Sequence, residues 1–576
     1  MFQSRLLTLL LALAAPAAAS AAGGKVVEPE PADLVLRGGR IVTLEPSLAE
    51  ATALAARGGR IVALGGDAHV AALVGPSTRV IELGGRLAVP GLIDAHAHFE
   101  SLGRASRILK LAPHRTWDAI VAEVAAAAAK ARPGEWILGR GWHQEKWDAP
   151  PAPAVEGFPV HDALSAATPD NPVVLGHASG HASIVNARAM ALAGIGRATL
   201  DPAGGQILRD ASGEPTGLLR ETAEDLVEKA YAAALTVRPA VEVEAERRRD
   251  LEAAAAEALS KGITTLHDAG TLLEDLDLVH GMAADGGLGL RLWVMIRDQP
   301  AKLLAADLDR LRRIDPAGFF TVRALKLVGD GALGSRGAWL LEPYADLPGH
   351  TGLAVTEPSV TGQIAELAIA HGFQLAVHAI GDRANRETLD VYEEAFRAHP
   401  EKRDLRWRIE HAQHLHPDEV PRFAKLGVIA SMQGIHCTSD APWVLVRLGE
   451  RRAESGAYVW RKLLDAGATI ANGTDAPVED VDPLASFYAS VSRRLADGSR
   501  FYPAQRMSRM EALASYTRNA AFAGFEEGEK GSLAVGKLAD VVVLSKDILA
   551  IPEEEIPTAR VDYTIVGGKV AYSASR

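Results

Sequence analysis

The sequence predicts an α/β fold, a (β/α)8 barrel of the TIM type, and three observations lead to it. Eight short apolar runs have the composition of strands buried on both faces: 92–94, 263–267, 290–296, 324–328, 375–378, 407–411, 428–431 and 469–473. Helical segments such as the Ala/Glu/Arg-rich 244–259 lie between most of them, and this alternation is typical of a parallel barrel. Polar residues stand at the ends of the strands, where such barrels hold their functional sites.

Composition excludes several classes of protein. The chain has 576 residues, 48% hydrophobic and 23% charged, which is typical of a globular protein and excludes a disordered or fibrous one. Its only long apolar run is at the N-terminus, so a polytopic membrane protein is excluded. Lys and Arg number 61 against 73 Asp and Glu, and the net charge of −12 with no basic stripe argues against a nucleic-acid partner. A single cysteine, Cys437, excludes an intrachain disulfide and a multi-cysteine zinc site.

Residues 1–22 have the pattern of a signal peptide. Arg5 precedes an apolar run, 6–15, that is too short to cross a bilayer as a helix. Ala17-x-Ala19 fits a signal-peptidase site, and cleavage a few residues later fits as well. No cysteine follows the run that would carry a lipid. We therefore expect export to a periplasm or the medium, with no membrane anchor after cleavage.

Strand-like segments at both ends predict a small β-sandwich composed of residues 23–89 and 530–576. They include 34–44, interpreted as two strand pieces around a Gly38-Gly39 turn, and 60–65, 79–83, 540–544, 561–566 and 569–572. The barrel then occupies residues 90–529. Its first two strands are far apart in the chain, which predicts an inserted subdomain at about 102–221, rich in Pro, Gly and Trp. The insertion and the sandwich are compatible with a homodimer, which nothing in the sequence requires.

Six residues with metal-binding or charged side chains fall on the predicted strands or at their ends: His96, His98, Lys326, His378, His411 and Asp475. In an extended segment, residues i and i+2 point to the same side, so His96 and His98 can both face one metal ion. Four histidines and one aspartate at one end of a barrel predict a transition-metal site.

These residues and the sequence around them resemble the metal-dependent amidohydrolase superfamily. The pattern begins with Pro90-Gly-x-x-Asp followed by His-x-His. Segments 262–270, 330–337 and 378–385, together with His177-x-x-Gly-His181 and the run 186–189, resemble the YtcJ-like branch, which includes N-substituted formamide deformylase. The resemblance covers essentially the whole mature chain. One variation is Thr474, which stands before the strand-eight aspartate where a serine is expected.

The resemblance implies a binuclear metal centre. Its ligands would be His96, His98, Lys326, His378, His411 and Asp475. His96 and His98 would hold the more buried of two divalent ions. Zinc is the metal expected at both positions. A carboxylated Lys326 would bridge the two ions. The alternative is an unmodified Lys326 paired with a carboxylate such as Asp330, which would leave one metal ion.

The implied activity is that of a metal-dependent hydrolase acting on a C–N bond other than a peptide bond, in an amide or formamide-like small molecule. A metal-activated hydroxide would form near neutral pH. Asp475 would accept its proton as general base and return it to the leaving nitrogen. His181, His267 and Arg336 are candidates for contacting the substrate or stabilising the oxyanion.

Two other functions stay open at this point. The same metal site would also serve a cyclic amide, a lactone, a dipeptide-like amide or an amidine, because the fold and the ligand set do not fix the substrate. A protein of another class, an exported ligand- or metal-binding protein without turnover, would have no need of a base at Asp475.

Overall fold

The computed structural model describes residues 30–574, so the predicted signal peptide lies outside the described residues. At its centre is a barrel of eight parallel strands: β1 (Leu92–Ala97), β2 (Ile263–Thr271), β3 (Arg291–Arg297), β4 (Phe320–Val328), β5 (Gln374–Ala379), β6 (Arg408–His411), β7 (Ile429–Gln433) and β8 (Ile470–Gly473). Each strand pairs with the next in parallel. Every predicted apolar run overlaps one of these strands, which confirms the barrel.

Strands β8 and β1 approach each other at the seam of the barrel. The Asp475 backbone N–H donates to the His96 carbonyl and the His98 N–H donates to the Ala476 carbonyl, both at 2.7 Å. A Cβ on Gly473 would lie 2.5 Å from the His96 nitrogen, so glycine is what lets β8 come this close. The seam therefore holds Asp475 next to the His-x-His segment.

Helices surround the barrel on its outer side. They are Phe99–Ala105, Ala240–Ser260, Leu276–Ala283, Pro300–Ala305, Leu308–Leu311, Pro358–His371, Asp382–Ala398, Val420–Leu426, His436–Ser439, Ala441–Leu448, Glu450–Gly456, Trp460–Asp465, Pro483–Ser492, Arg509–Ser515 and Arg518–Ala523. They bury one face, as Leu389, Tyr392 and Ala395 illustrate, since residues three or four apart share a face of a helix.

Both ends of the chain contribute to one eight-stranded sheet. Its strands are Leu34–Val42, Glu50–Arg57, Arg60–Gly65, Arg79–Glu82, Leu87–Pro90, Val541–Leu544, Val561–Val566 and Lys569–Ser573, beside the helix Asp67–Ala71. The predicted Gly38-Gly39 turn is wrong: Leu34–Val42 is a single strand. Gly38, with φ of 73°, lies at a bulge that shifts the register without reversing the chain.

An inserted subdomain lies between β1 and β2. Its main sheet contains Leu109–Lys110, Ile137–Trp142, Val173–His177, Ala182–Val185, Gly205–Arg209 and Pro215–Glu221, and its short ribbon pairs Ala154–Val155 with Phe158–Pro159. Its helices are Trp117–Ala128, Asp162–Ala167 and Ala187–Ala193, and Glu224–Thr236 follows them. The Arg140 guanidinium donates to the Pro477 carbonyl just beyond β8, so the insertion reaches the C-terminal end of the barrel. Across residues 30–574, no helix combines the length and the apolar character needed to span a membrane.

Candidate metal centre

Three of the predicted ligands meet where β1 and β8 end. Asp475 Oδ1 lies 3.2 Å from His98 Nε2 and 3.5 Å from His96 Nε2. The three residues offer ligand atoms that all lie within 4.8 Å of one another. His96 is fully buried, whereas His98 is partly exposed at the mouth of the barrel. This arrangement has the dimensions of a site for one metal ion.

A second group of potential ligands shares the same aspartate. His411, at the end of β6, and His436, shortly after β7, offer ring nitrogens within 4.8 Å of each other and of an Asp475 carboxylate oxygen. His436 Nε2 lies 3.7 Å from Asp475 Oδ2. Sequence reasoning missed His436, although its place just after a barrel strand was the signal that singled out the other histidines. Asp475 thus stands between two histidine pairs.

His378 belongs to the same cluster but also faces Asp330. Its ring centroid lies 4.4 Å from that of His411, and its Nε2 lies 3.4 Å from Asp330 Oδ1. Three backbone N–H groups donate to the Asp330 carboxylate. Burial nevertheless raises the pKa of Asp330 to about 8. Asp330 is therefore a fixed acceptor beside the centre.

Lys326 projects from β4 and is 2% exposed. Burial lowers the pKa of its amine to about 8, although the Glu410 carboxylate favours the charged form. No described carboxylate lies within the 4.0 Å of an ion pair with it, so the pairing with Asp330 considered from the sequence does not form. The amine lies in the barrel interior with a reduced preference for its protonated form.

Two side chains fix the orientation of two histidines. Glu410 Oε2 accepts from His96 Nδ1 at 2.5 Å, and Gln433 Oε1 accepts from His411 Nδ1 at 2.7 Å. Each contact leaves Nε2 of that ring available to a ligand, as is usual for metal-binding histidines. Burial opposes the charge on Glu410, but Arg408, which donates to it at 3.1 Å, and His96 lower its pKa below the usual range.

Several buried ligand atoms in the cluster have no hydrogen-bond partner among residues 30–574: His96 Nε2, His378 Nε2, His436 Nε2 and Asp475 Oδ1. Each such atom costs about 1–3 kcal/mol if nothing pairs with it. Burial lowers the pKa of His378 and His411 well below 6.5, so these rings are neutral. Burial alone would raise the pKa of Asp475, but the neighbouring histidines lower it well below 3.8. Neutral imidazoles and a carboxylate are the donors that a divalent transition metal takes, so the residues fit a metal ion.

His181 comes to the centre from the insertion. Its ring centroid lies 4.7 Å from that of His378, and its Nδ1 lies 2.8 Å from Glu221 Oε2. Burial disfavours the imidazolium, but the Glu221 carboxylate raises the pKa of His181 above its ordinary value.

The other two substrate-site candidates lie farther from the cluster of ligands. His267, on β2, is fully buried, packs against Trp293 at 4.8 Å between ring centroids, and has its Nδ1 3.1 Å from an Arg408 nitrogen. Arg336 pairs with Asp346 at 2.8 Å and donates to a carbonyl of the insertion at 3.0 Å. Arg408 connects His267 to Glu410 beside the centre. Arg336 is held both by the loop after β4 and by the insertion.

An eight-stranded parallel barrel with histidines and an aspartate at the C-terminal ends of its strands defines the class of metal-dependent barrel hydrolases. The chain belongs to the amidohydrolase family, whose model matches residues 79–572.

Relatives and a solved structure agree with this assignment. The chain is 35% identical over 554 residues to Protein LONG AFTER FAR-RED 3 of Arabidopsis thaliana, covering 94% of this chain and 92% of that protein. It is 31% identical over 510 residues to putative amidohydrolase YtcJ of Bacillus subtilis, covering 87% and 92%. It is 28% identical over 552 residues to N-substituted formamide deformylase of Arthrobacter pascens, covering 94% of this chain and 98% of that protein.

A solved structure is also similar. An uncharacterized metal-dependent hydrolase from Pyrococcus horikoshii superposes with a TM-score of 0.71 at 25% identity, covering 90% of this chain and 99% of that one. The resemblance to the YtcJ-like branch is thereby confirmed.

Proposed function

We propose that the protein hydrolyses the C–N bond of a non-peptide amide, of the formamide-like kind, in a small molecule. The observation that carries the proposal is the unpaired Asp475 Oδ1, which lies within 3.5 Å of two histidine Nε2 atoms at the mouth of the barrel. In a protein that only binds a metal ion, Asp475 would serve as a ligand alone, so the effect of Asp475→Asn on turnover separates the two functions. The similarity to N-substituted formamide deformylase suggests where to begin the substrate search.

The residues that would hold the metal are His96, His98, Lys326, His378, His411 and Asp475, with His436 as a further ligand. When bound, one or two zinc-class ions would polarise the substrate carbonyl and lower the pKa of water. Asp475 then takes a proton from the attacking water through Oδ1 and returns it to the leaving nitrogen. The water oxygen forms a bond to the carbonyl carbon and the C–N bond breaks, which yields a carboxylic acid and an amine.

Carboxylation of Lys326 is part of the proposal, and the carbamate would supply an anionic ligand for two zinc-class ions. Only a neutral amine reacts with carbon dioxide, and a pKa of about 8 gives the buried Lys326 an appreciable neutral fraction near neutral pH. Lys326→Ala should lose most of its bound metal and activity, and formate or acetate should restore part of both. If neither formate nor acetate restored metal binding and the intact mass showed no modification, carboxylation would be refuted. The site would then hold one ion beside an unmodified Lys326.

Turnover of a panel of small amides by the zinc-loaded protein tests the proposal. An N-substituted formamide, an N-acetyl amine, a cyclic amide, a lactone and an amidine separate the proposed substrate class from the alternatives. We expect Asp475→Asn to lower kcat by about 10²–10⁴-fold. Asp465→Asn, a change at an exposed carboxylate of the same barrel, is the control and should leave kcat unchanged. Full activity in Asp475→Asn would refute the assigned base, and no turnover by the metal-loaded wild type would favour the binding protein.

Export is a further part of the proposal, supported by the apolar run 6–15 and by Ala17-x-Ala19. N-terminal sequencing of the protein recovered from the periplasm or medium should begin shortly after Ala19. Recovery of protein with an intact Met1 from the cytoplasm would refute export.

The homodimer stays a prediction, which light scattering of the mature protein can test.

A further inference from the structure

A buried arginine lies inside the barrel, close to the predicted metal ligands. Arg408 stands on β6, three residues before His411, and its side chain is fully buried. One terminal nitrogen of its guanidinium lies 2.6 Å from the Ala95 carbonyl of β1 and 2.7 Å from Ser431 Oγ of β7. The other terminal nitrogen lies 3.1 Å from His267 Nδ1 of β2. Arg408 therefore contacts three other strands of the barrel from one position.

The charge of Arg408 is paired with Glu410, which lies two residues along the same strand and on the same face. Arg408 Nε lies 2.7 Å from Glu410 Oε1, and a terminal nitrogen donates to Oε2 at 3.1 Å. Glu410 Oε2 in turn accepts from His96 Nδ1 at 2.5 Å. The guanidinium thus contacts both carboxylate oxygens, and one of these oxygens orients the ring of His96.

His96 is connected to Arg408 by its side chain and by its backbone. The side chain is held through Glu410, and Ala95, whose carbonyl accepts from Arg408, directly precedes His96 in β1. His96 Nε2 is left 3.5 Å from Asp475 Oδ1. A guanidinium can hold several partners at once because its five N–H donors form a rigid planar fork, whereas a lysine ammonium is a compact point charge.

His267 holds the terminal nitrogen of Arg408 that does not face Glu410. Arginine has donors only, so His267 Nδ1 is the acceptor of this contact. The His267 ring packs 4.8 Å, between centroids, from that of Trp293. A Cβ on Gly524 would lie 3.3 Å from His267 Nε2, so glycine leaves room for the ring. His267 therefore has a fixed place from which it orients the guanidinium.

We propose that Arg408 is a positioning residue for the metal ligand His96, and that His267 positions Arg408. Arg408 acts through the Glu410 carboxylate and through the backbone of β1. His267 then supports the metal centre from inside the barrel and does not contact the substrate. The inference rests on the proposed function in one respect, that His96 binds the metal, and it holds for whichever bond the centre cleaves.

Zinc affinity, measured by competition with a chromogenic chelator, gives the first test. Arg408→Lys keeps the charge but loses the fork, and it should weaken zinc binding by about 10–100-fold. Arg291→Lys is the matched control, because Arg291 is also buried on a barrel strand but pairs with Asp540. Both variants should unfold at lower urea concentrations than wild type, but Arg291→Lys should bind zinc as wild type does. Equal zinc affinities in the two variants would overturn the inference, because Arg408 would then serve only the stability of the fold.

His267 offers a milder pair of variants, which decides the matter if Arg408→Lys does not fold. His267→Leu removes the acceptor of Arg408 and should weaken zinc binding by about tenfold. His267→Asn keeps an acceptor oxygen on a short side chain and should restore most of the affinity. A zinc affinity in His267→Leu equal to that of wild type would overturn the inference, and so would an equal loss in both variants.

The visible spectrum of bound cobalt(II) separates positioning from a loss of stability, because it depends on the arrangement of the ligands. Arg408→Lys and Glu410→Gln should change this spectrum in the same way, since both release the ring of His96, and Arg291→Lys should leave it unchanged. Their effects on zinc affinity should be less than additive in the double variant Arg408→Lys/Glu410→Gln. An unchanged spectrum in Arg408→Lys, or fully additive losses of affinity, would refute the action through Glu410.

Turnover separates this inference from the proposed amide hydrolysis. A wild type that binds zinc but cleaves none of the amides tested would refute the hydrolysis and leave the differences in zinc affinity among the variants unaffected. An active wild type whose zinc affinity is matched by both Arg408→Lys and His267→Leu would refute the positioning role and leave the hydrolysis intact.

Discussion

At the scale of single residues, the centre depends on which nitrogen of each histidine is left for a ligand. His96 Nδ1 contacts Glu410 and His411 Nδ1 contacts Gln433, so each ring has Nε2 left for a ligand. His96 Nε2 lies 3.5 Å from Asp475 Oδ1. Such partners fix the tautomer and raise the basicity of the ring. The acceptor is charged in one case and neutral in the other, so the two contacts should differ in strength.

The contact between Glu410 and His96 leads to a prediction about metal affinity. Glu410→Gln removes the charge that orients His96 and should weaken zinc binding by about 10–100-fold. Competition with a chromogenic chelator measures this affinity. Glu366→Gln is a matched control, since Glu366 accepts from His399 at 2.8 Å but on the surface. An affinity for zinc in Glu410→Gln equal to that of the control would contradict the role assigned to this contact.

Sequence reasoning found ligands that end strands and missed those that loops or distant pairings supply. His96 and Glu410 are 314 positions apart, and no local pattern joins them. His436 is the first residue of the helix His436–Ser439, which begins after two further residues beyond the end of β7. The His181–Glu221 pair depends on how the insertion folds onto the barrel, which periodicity does not encode.

At the scale of elements, the barrel strands were predictable because both of their faces are buried. Such strands are continuous apolar runs, as in β3 and β5, and turns bound them sharply. In the terminal sheet, Gly38 was misleading, since a positive φ serves a bulge as well as a turn. The sequence also did not predict which helices pack closely against each other. The contact between Phe99–Ala105 and Ala240–Ser260 is an example.

That helix contact leads to a prediction about stability. A Cβ on Gly103 would lie 1.9 Å from the Asp250 carbonyl oxygen, so Gly103→Ala must push the two helices apart. We expect the free energy of unfolding to fall by about 1–3 kcal/mol. Gly362→Ala, in a helix where the added methyl meets nothing within 4 Å, should instead raise it by about 0.5–1 kcal/mol. Urea unfolding measures both, and equal effects would refute the packing argument.

At the scale of the whole molecule, both ends of the chain are tied to the barrel between them. Arg291, at the start of β3, meets Asp540 through two contacts of 2.8 and 3.0 Å, and Asp540 precedes a strand of the terminal sheet. The two side chains are 2% and 4% exposed. Removing one partner of such a pair leaves a buried charge without compensation. The pair therefore couples the stability of the sheet to that of the barrel.

The buried pair leads to a prediction that depends on pH. Burial opposes the charge on Asp540, but Arg291 lowers its pKa below 3.8 in the folded protein. A lowered carboxyl pKa contributes stability above the unfolded pKa of about 3.9, and the contribution is lost as pH falls through the folded pKa. Asp540→Asn should thus lower the free energy of unfolding by about 3–5 kcal/mol near pH 7, and its difference from wild type should shrink below about pH 4.

The control is Glu82→Gln, at a surface pair with Arg37 of the same sheet, which should lower the free energy of unfolding by less than about 1 kcal/mol. Urea unfolding of the metal-loaded proteins across this pH range measures the three free energies. A difference between Asp540→Asn and wild type that does not change with pH would mean that packing, and not charge, holds the sheet to the barrel.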